Sequence, residues 1–305
     1  MSARTLPTPQ PPLALWRVWL LTARPKTLLA GVAPILVGTA LACSFGTFHL
    51  GAAVAALLGA LLLQIGCNLV NDAADFVRGT DNNRVGPARA AAEGWLTPHA
   101  LWIGAGLCFV AAGLTGVYLF TRVGWPVVAI GLGGVLAAIA YTAGPKPLGY
   151  LGLGDVLVFI FFGPVAVIGT FFVQADAVTA QVVWASIPVG LLTTAILVVN
   201  NLRDRHSDKL TGKRTLAVRY GARASRVQYG LLLALSYAAV AVAVALGSAP
   251  AAWLIVGATA PVAWLTWRGF MRSDGAALNP FLGATARLLL LFSIALAVGV
   301  LVDLT

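Results

Sequence analysis

Charge is scarce in this chain of 305 residues: charged side chains make up 10% of it, and only ten of them are acidic. Hydrophobic residues make up 59%, and the mean hydropathy is +0.89. The alternating segments of about ten residues that mark a membrane β-barrel are missing, whereas apolar stretches of about 20 residues recur along the chain. The composition therefore predicts an all-α, polytopic membrane protein.

Two further absences narrow the function. No glycine-rich loop of the GxxxxGK[ST] kind occurs, so a nucleoside triphosphate is not indicated. The three cysteines have neither disulfide nor zinc spacing, and we interpret them as small core residues. Membrane topology and anionic lipid head groups explain the net charge of +10, so we expect membrane lipid but no nucleic acid as a partner.

Nine apolar stretches predict nine transmembrane helices in one bundle. The predicted spans are residues 28–46, 50–71, 99–120, 124–142, 153–173, 178–200, 227–247, 251–268 and 281–302. Of the 20 Lys and Arg residues, 18 lie in the N-terminal segment or in loops after even-numbered spans, which predicts a cytoplasmic N-terminus and a C-terminus outside. Residues 1–11 are predicted to be a disordered tail and 12–305 a membrane domain, which begins with a short interfacial helix in LALWRVWLLTARPK.

Half of the acidic residues lie in two short clusters, each at the end of a predicted span. The first cluster is NLVNDAADFVRGTD, from Asn68 to Asp81. On a helix, Asn68, Asp72 and Asp75 share one face at i, i+4 and i+7. Carboxylates one turn apart repel each other unless a cation lies between them, and charge at membrane depth is unfavourable. We therefore interpret Asp72 and Asp75 as metal ligands. Asp81 is either a further ligand or part of an ordinary polar loop.

The second cluster, NNLRDRHSD from Asn200 to Asp208, repeats the pattern. Asn200, Asp204 and Asp208 share a helix face at i, i+4 and i+8. The repetition predicts one metal shared between the clusters, and carboxylates this sparse favour Mg²⁺, which keeps positions for water and phosphate oxygens. His206 points off this face, and we interpret it as a bystander.

Cationic side chains follow both clusters and suit the oxygens of a diphosphate. They are Arg78, Arg84 and Arg89 after the first cluster, and Lys209, Lys213, Arg214 and Arg219 after the second. The acids would hold the metal while the bases hold the anion. We predict that Arg78, Lys213 and Arg214 bind the diphosphate. Arg223 and Arg226 are interpreted as topology signals.

A third polar stretch, YTAGPKPLGYLGLGD, runs from Tyr141 to Asp155 between predicted spans 4 and 5. Asp155 opens an apolar helix, where a carboxylate is often only a partner of the helix dipole. Lys146 could be only a topology signal, or both could face a cavity above the bundle. Arg287, one to two turns into the last span, either snorkels to the interface or contributes to the site.

These motifs resemble those of the UbiA superfamily of intramembrane aromatic prenyltransferases, written NDxxDxxxD (or a longer variant) and DxxxD. Asn71–Asp72, Asp75 and Asp81 match the first motif with a longer final gap, and Asp204 and Asp208 match the second. Within the superfamily, the chain is similar to the branch that prenylates 1,4-dihydroxy-2-naphthoate in menaquinone biosynthesis. The stretches that carry this similarity are RPKTLLAGVAPILVGTALA, RGTDNNRVGPARA, YTAGPKPLGYLGLGD, FFGP, GKRTLAVRYG, LNP and TAR.

Two departures from that branch bear on the pocket. Asp155 stands where many relatives have glutamate, so the carboxylate is kept but its reach is shorter. Ala73–Ala74 stand where aromatic residues are common, which changes the expected pocket shape but not the chemistry.

The resemblance implies a Mg²⁺-dependent transfer of a polyprenyl chain from polyprenyl diphosphate to 1,4-dihydroxy-2-naphthoate. Diphosphate and CO₂ would be lost and demethylmenaquinone formed, in the cell (inner) membrane, with the active site open to the cytoplasm. Together with the interpretation of the motifs, it gives one set of expected site residues. These are Asp72, Asp75, Asp81, Asp204 and Asp208 as metal ligands, the same acids without Asp81 but with Asp155 in catalysis, and Asn68, Arg78, Tyr141, Lys146, Lys213, Arg214 and Arg287 in substrate binding.

Two other functions stay open on the sequence alone. One is a related prenyltransferase with another aromatic acceptor, such as 4-hydroxybenzoate or homogentisate, or with a phytyl donor. The other is a cation-coupled transporter, which would be expected to place its acids in broken helices near the bilayer midplane. The acids here lie at predicted helix ends beside cationic loops, which favours a diphosphate enzyme.

Overall fold

The computed structural model describes residues 13–80 and 85–302, apart from the side chain of Lys26. These residues form helices and loops with no strand, as the composition predicts. In chain order the α-helices are α1 (Leu15–Ala23), α2 (Pro25–Ser44), α3 (Leu50–Val77), α4 (Pro98–Val123), α5 (Trp125–Thr142), α6 (Gly154–Ile160), α7 (Ala166–Ala175), α8 (Ala180–Arg203), α9 (Arg205–Leu210), α10 (Leu216–Ala245), α11 (Ala260–Met271) and α12 (Asn279–Val302).

Three segments take other helical forms. A π-helix, Phe161–Val165, joins α6 to α7, and 3₁₀-helices cover Ala251–Thr259 and Gly275–Leu278. The π-helix contains Pro164, which lacks an N–H and does not fit an α-helical interior. At the same place Gly163 lies so close to α8 that a Cβ on it would be 2.8 Å from a backbone oxygen. The FFGP motif therefore forms a π-helical segment in close contact with α8.

Within the described part of the chain, eight helical segments are long and apolar enough to cross a membrane. The predicted span 251–268 is not among them, because it is divided between the 3₁₀-helix Ala251–Thr259 and α11. The division falls at Pro261, a residue that fits the first turn of a helix but not its interior. Apolar composition alone did not reveal this division.

The N-terminal segment begins the described structure with the short helix that the sequence predicts. Trp16 and Leu20 of α1 are exposed, as suits a helix lying in a membrane interface. Arg24 then adopts a left-handed conformation, with φ of 56°, and Pro25 opens α2. The predicted tail over 1–11 lies outside the described residues.

Helix α8 lies at the centre of the bundle. In its most apolar window 72% of the residues are buried, against 17% in the windows of α4 and α5. Leu192 of α8 belongs to a core that also contains Tyr229 of α10 and Phe292 of α12. Apolar side chains on α4 are instead exposed, as expected of a helix that faces lipid.

Both acidic clusters lie at the same end of the bundle, where α3 and α8 end. The loops that follow α3, α5 and α8 meet there. The N–H of Arg214 donates to the carbonyl of Tyr150 at 2.9 Å, and the guanidinium of Arg78 donates to the carbonyls of Thr142 and Gly144. These contacts bring residues far apart in the sequence into one site.

Candidate active site

The first acidic cluster lies on the last turns of α3, and all three residues of its predicted face are buried. Asn68 does not reach the second cluster. Its side-chain amide donates to the carbonyl of Ala23 at 3.0 Å and to Oγ1 of Thr27 at 3.2 Å. Asn68 therefore fastens α3 to the junction of α1 and α2, and its predicted role in substrate binding stays a prediction.

Asp72 binds the loop that follows α3. One carboxylate oxygen accepts the N–H of Ala90 at 3.0 Å, and the other accepts the N–H of Ala91 at 3.2 Å. The side chain is 1% exposed. These two hydrogen bonds hold the loop against the end of α3. The predicted roles of Asp72 in metal binding and catalysis stay predictions.

Asp75, one turn further on, faces the second cluster. Its Oδ2 accepts from Nη1 of Arg89 at 2.7 Å, and its Oδ1 accepts from the hydroxyl of Tyr150 at 3.0 Å. The same Nη1 donates to the carbonyl of Asn71 at 2.9 Å. The loop that Asp72 fastens thus places a guanidinium beside Asp75.

The second cluster is divided between two helices, which corrects the prediction of one continuous helical face. Helix α8 ends at Arg203, Asp204 lies between the helices with φ of −90° and ψ of 4°, and α9 follows. The N–H of Asp208 still donates to the carbonyl of Asp204 at 2.8 Å, which preserves the spacing of one turn. Both carboxylates therefore face the same pocket despite the break.

The two clusters meet in a narrow polar pocket. Its walls are Asp75, Thr80 and Arg89 from the first motif and its loop, and Asn200, Asp204, Ser207, Asp208 and Lys213 from the second. Of the predicted metal ligands, Asp75, Asp204 and Asp208 line this pocket, whereas Asp72 does not. Asp81 lies outside the described residues.

Asp208 is the least satisfied acid of the pocket. It is 3% exposed, its Oδ2 is buried without a hydrogen-bond partner, and its Oδ1 lies 3.7 Å from Nζ of Lys213. Burial raises the pKa of the Asp208 carboxyl to about 6. Lys213 acts to lower that pKa, while the charges of Asp204 and Asp75 raise it.

The donor set suits a hard divalent cation, although it is not arranged as a finished metal cage. Among residues 13–80 and 85–302, no three His, Cys, Asp or Glu side chains converge closely enough to hold a metal ion. The available oxygens belong to carboxylates, with one amide and two hydroxyls nearby, which is the chemistry that Mg²⁺ prefers. The Oδ2 of Asp208, which is buried without a hydrogen-bond partner, is an oxygen that a cation could use. Asp75, Asp204 and Asp208 are thus the residues that would hold Mg²⁺.

Tyr150 and Arg203 belong to the site, but the sequence analysis passed over both. The hydroxyl of Tyr150 lies 2.7 Å from Oγ1 of Thr80, and its ring lies 5.0 Å from the guanidinium of Arg78 and 5.5 Å from Nζ of Lys213. Burial, followed by the charge of Asp75, raises the pKa of Tyr150 to about 12. The sequence signal that could have found Tyr150 was its position as an aromatic residue in the loop between the two motifs. Each motif is followed by cationic side chains, which an aromatic ring can contact.

Arg203 is buried beneath the second motif. Its guanidinium donates to both oxygens of Asp204, at 2.7 and 2.6 Å. It also donates to Oδ1 of Asn200 at 2.7 Å and to Oδ1 of Asn279 at 3.2 Å. The amide of Asn279 in turn donates to the carbonyl of Val85, so this group ties α12 to both motif loops.

The cations predicted to bind diphosphate are not all in the pocket. Lys213 lines it. Arg78 is engaged with the end of α5, as described above, and Arg214 and Lys146 are exposed outside the pocket walls. Arg287 is also exposed, and its Nε donates to the carbonyl of Gly283 on its own helix at 3.3 Å.

Asp155 and Tyr141 lie outside the walls of the pocket. Asp155 is buried, and its Oδ1 accepts from the side-chain amide of Gln228 on α10 at 3.0 Å. The hydroxyl of Tyr141 packs on Gly154, where an added Cβ would lie 3.0 Å away. Tyr141 and Asp155 therefore adjoin each other at the start of α6, and Gln228 is a partner that the sequence analysis missed.

Comparison of the sequence with known proteins shows the family to which this chain belongs. The model of the UbiA prenyltransferase family matches residues 31–293. The chain is 37% identical over 287 residues to a 1,4-dihydroxy-2-naphthoate octaprenyltransferase of Mycobacterium tuberculosis, covering 93% of this chain and 97% of that one. It is 42% identical over 225 residues to the Escherichia coli protein of the same name, covering 71% and 73%.

Solved structures show the same fold. A UbiA homologue from Archaeoglobus fulgidus, solved with DMAPP and Mg²⁺ bound, superposes with a TM-score of 0.59 at 15% identity, covering 92% of this chain and 99% of that one. This chain is a member of the UbiA prenyltransferase family, which confirms the resemblance seen in the sequence.

Proposed function

We propose that this protein transfers a polyprenyl chain from polyprenyl diphosphate to 1,4-dihydroxy-2-naphthoate, with loss of CO₂ and diphosphate, to form demethylmenaquinone. The observation that carries the proposal is the meeting of the two aspartate motifs in one pocket beside Lys213. The names and high coverage of the bacterial relatives support the naphthoate acceptor. Neither another acceptor nor a transporter is favoured.

The pocket has the groups that a leaving diphosphate needs. Asp75, Asp204 and Asp208 would hold Mg²⁺, which when bound supplies positive charge to the diphosphate oxygens. Lys213 lines the pocket with its Nζ over the ring of Tyr150, which supports a role in binding a diphosphate oxygen. Arg203 keeps Asp204 in position from below. Asp72, which is not among the described pocket walls, and Asp81, which lies outside the described residues, are retained as predicted ligands.

The acceptor site is assigned to the start of α6. A hydroxyl proton leaves dihydroxynaphthoate as electron density moves to the carbon that is attacked, so a nearby base assists. Asp155 is buried there, beside Tyr141, and Gln228 orients its carboxylate. Arg287, exposed on α12, is the cation we assign to the carboxylate of the acceptor.

Purified protein in detergent or nanodiscs tests the function directly. With Mg²⁺, a polyprenyl diphosphate and dihydroxynaphthoate, we expect demethylmenaquinone, identified by mass, in equal amount to released diphosphate. Parallel reactions with 4-hydroxybenzoate and homogentisate should give no comparable product. Prenylation of either of these in preference to dihydroxynaphthoate would contradict the proposed acceptor.

We further propose nine membrane crossings in the cell (inner) membrane, with the N-terminus and the pocket on the cytoplasmic side. The crossing added to the eight long helical segments, and the eighth in chain order, would be the 3₁₀-helix Ala251–Thr259 followed by α11, of nine and twelve residues. At about 2.0 Å per residue in a 3₁₀-helix and 1.5 Å in an α-helix, they reach about 36 Å, against the ~30 Å of a hydrocarbon core. An odd number of crossings puts the termini on opposite sides, which reporter fusions to each terminus would detect.

A further inference from the structure

Each aspartate that lines the pocket already has a cation beside it. The three ion pairs are Arg89–Asp75 at 2.7 Å, Arg203–Asp204 at 2.6 Å and Lys213–Asp208 at 3.7 Å. Among the residues that the structure describes, each of these three carboxylates thus has one basic side chain beside it. A divalent cation that entered alone would meet carboxylates that already have counter-ions, and it would be repelled by those ammonium and guanidinium groups.

The guanidinium beside Asp204 is fixed. Arg203 has a fully buried side chain and makes two hydrogen bonds to Asp204 and one each to Asn200 and Asn279. Four of the five N–H donors of this guanidinium are therefore engaged by carboxylate and amide oxygens, which fixes its orientation. Arg203 is thus a positioning residue for Asp204.

The ammonium beside Asp208 is held far more loosely. The Nζ of Lys213 lies 3.7 Å from Oδ1 of Asp208, beyond hydrogen-bond distance, and 5.5 Å from the centre of the Tyr150 ring. The other oxygen of Asp208 is buried with no hydrogen bond. Asp208 is therefore incompletely satisfied by Lys213, while the long side chain of Lys213 can turn on its stem.

We propose that Lys213 is the counter-ion of Asp208 in the unloaded pocket and changes partner on loading, from that carboxylate to the diphosphate. Metal and diphosphate then bind as one unit: the metal needs Asp208 released, and the released ammonium needs the anion. The inference rests on the proposed function of the pocket as a metal–diphosphate site. It adds a strong positive coupling between the two ligands, with Lys213 as the residue that carries it.

Binding of Mn²⁺, as a spectroscopic substitute for Mg²⁺, with and without inorganic pyrophosphate tests the coupling. Bound Mn²⁺ is measured by EPR on the full-length protein in nanodiscs at fixed free Mn²⁺. For the wild type, pyrophosphate should tighten Mn²⁺ binding by about tenfold or more. Lys213→Gln should bind Mn²⁺ alone about tenfold more tightly than the wild type, and should lose most of the gain from pyrophosphate.

Two further variants complete the design. Lys209→Gln removes the same charge from an exposed neighbour of Asp208, outside the pocket walls, and should behave as the wild type. Lys213→Arg keeps the charge and should keep the coupling, which guards against a misfolded Lys213→Gln. A merely structural role for Lys213 would instead weaken Mn²⁺ binding under both conditions.

The outcomes separate the two proposals. Mn²⁺ binding by Lys213→Gln that is no tighter than that of the wild type, with folding preserved, would overturn the exchange of partners but leave the site intact. No Mn²⁺ binding by the wild type even with pyrophosphate would overturn the metal–diphosphate site itself, and the exchange with it.

Discussion

Asp72 and Asp208 are both buried carboxylates of the two motifs, yet the structure predicts opposite effects on stability when their charge is removed. Asp72 accepts two backbone hydrogen bonds from the loop after α3. Asp208 has one buried oxygen with no hydrogen bond. We expect Asp72→Ala to destabilise the metal-free protein and Asp208→Asn to stabilise it.

The loss at Asp72 follows from its two partners. Ala90 and Ala91 are themselves buried, so in Asp72→Ala their N–H groups would have neither the carboxylate nor water. A buried donor left unsatisfied costs about 1–3 kcal/mol. The variant should therefore lose about 2 kcal/mol or more of unfolding free energy, and the loop that carries Arg89 should become accessible to trypsin.

The gain at Asp208 follows from its pKa. Burial raises that pKa from 3.8 to about 6, so near neutral pH the ionised group opposes folding by an amount of order 3 kcal/mol. The folded state binds the proton more tightly than the unfolded state, so stability is greatest below the unfolded pKa and is lost as the pH rises through about 6. The gain in Asp208→Asn, about 1–3 kcal/mol near neutral pH, should vanish near pH 4.

Equilibrium unfolding in mixed micelles with EDTA, at neutral and acidic pH, measures both effects. Glu93→Gln is the matched control, because Glu93 is exposed in the same loop as Ala90 and Ala91. Wild-type stability in Asp72→Ala, or a loss of stability in Asp208→Asn at neutral pH, would refute the reasoning from these hydrogen bonds.

Alanine at Asp75, Asp204 or Asp208 should each abolish prenyl transfer at saturating Mg²⁺ in folded protein, and two active variants in a product assay would contradict the shared-metal site. Since protons compete with metal for Asp208, the apparent Mg²⁺ affinity should fall about tenfold per pH unit below about 6. An unchanged affinity in titrations across that range would show that Asp208 is not a metal ligand. Tyr150→Leu should raise the KM for prenyl diphosphate more than Tyr150→Phe, which keeps the ring beneath Lys213; equal steady-state values for the two would exclude a role for the ring. Asp155→Asn should lower kcat with little change in donor binding, and wild-type turnover from pH 6 to 9, roughly the range in which such a base would titrate, would show that the acceptor base is misplaced.

Patterns of short range in the sequence predicted the helical class, eight of the spans, the two aspartate motifs and the family. A run of apolar residues makes a helix that can cross a membrane wherever it occurs, and spacing along one helix sets which residues share a face. The face with Asn68, Asp72 and Asp75 on α3 is therefore as predicted. The predicted span over 251–268 is not confirmed as one helix, because it is divided between the 3₁₀-helix Ala251–Thr259 and α11, which begins at Ala260.

The hydrogen-bond and ion-pair partners of each site residue could not be predicted from patterns within short stretches of sequence. Asp72 and Asp75 are three residues apart with similar surroundings in sequence, but the path of the following loop gives Asp72 to two backbone amides and Asp75 to the pocket. Tyr150 meets Asp75 across 75 positions, and Arg203 meets Asn279 across 76. Such contacts depend on how separate helices pack at one end of the bundle. The spacing of residues within a motif carries no information about that packing.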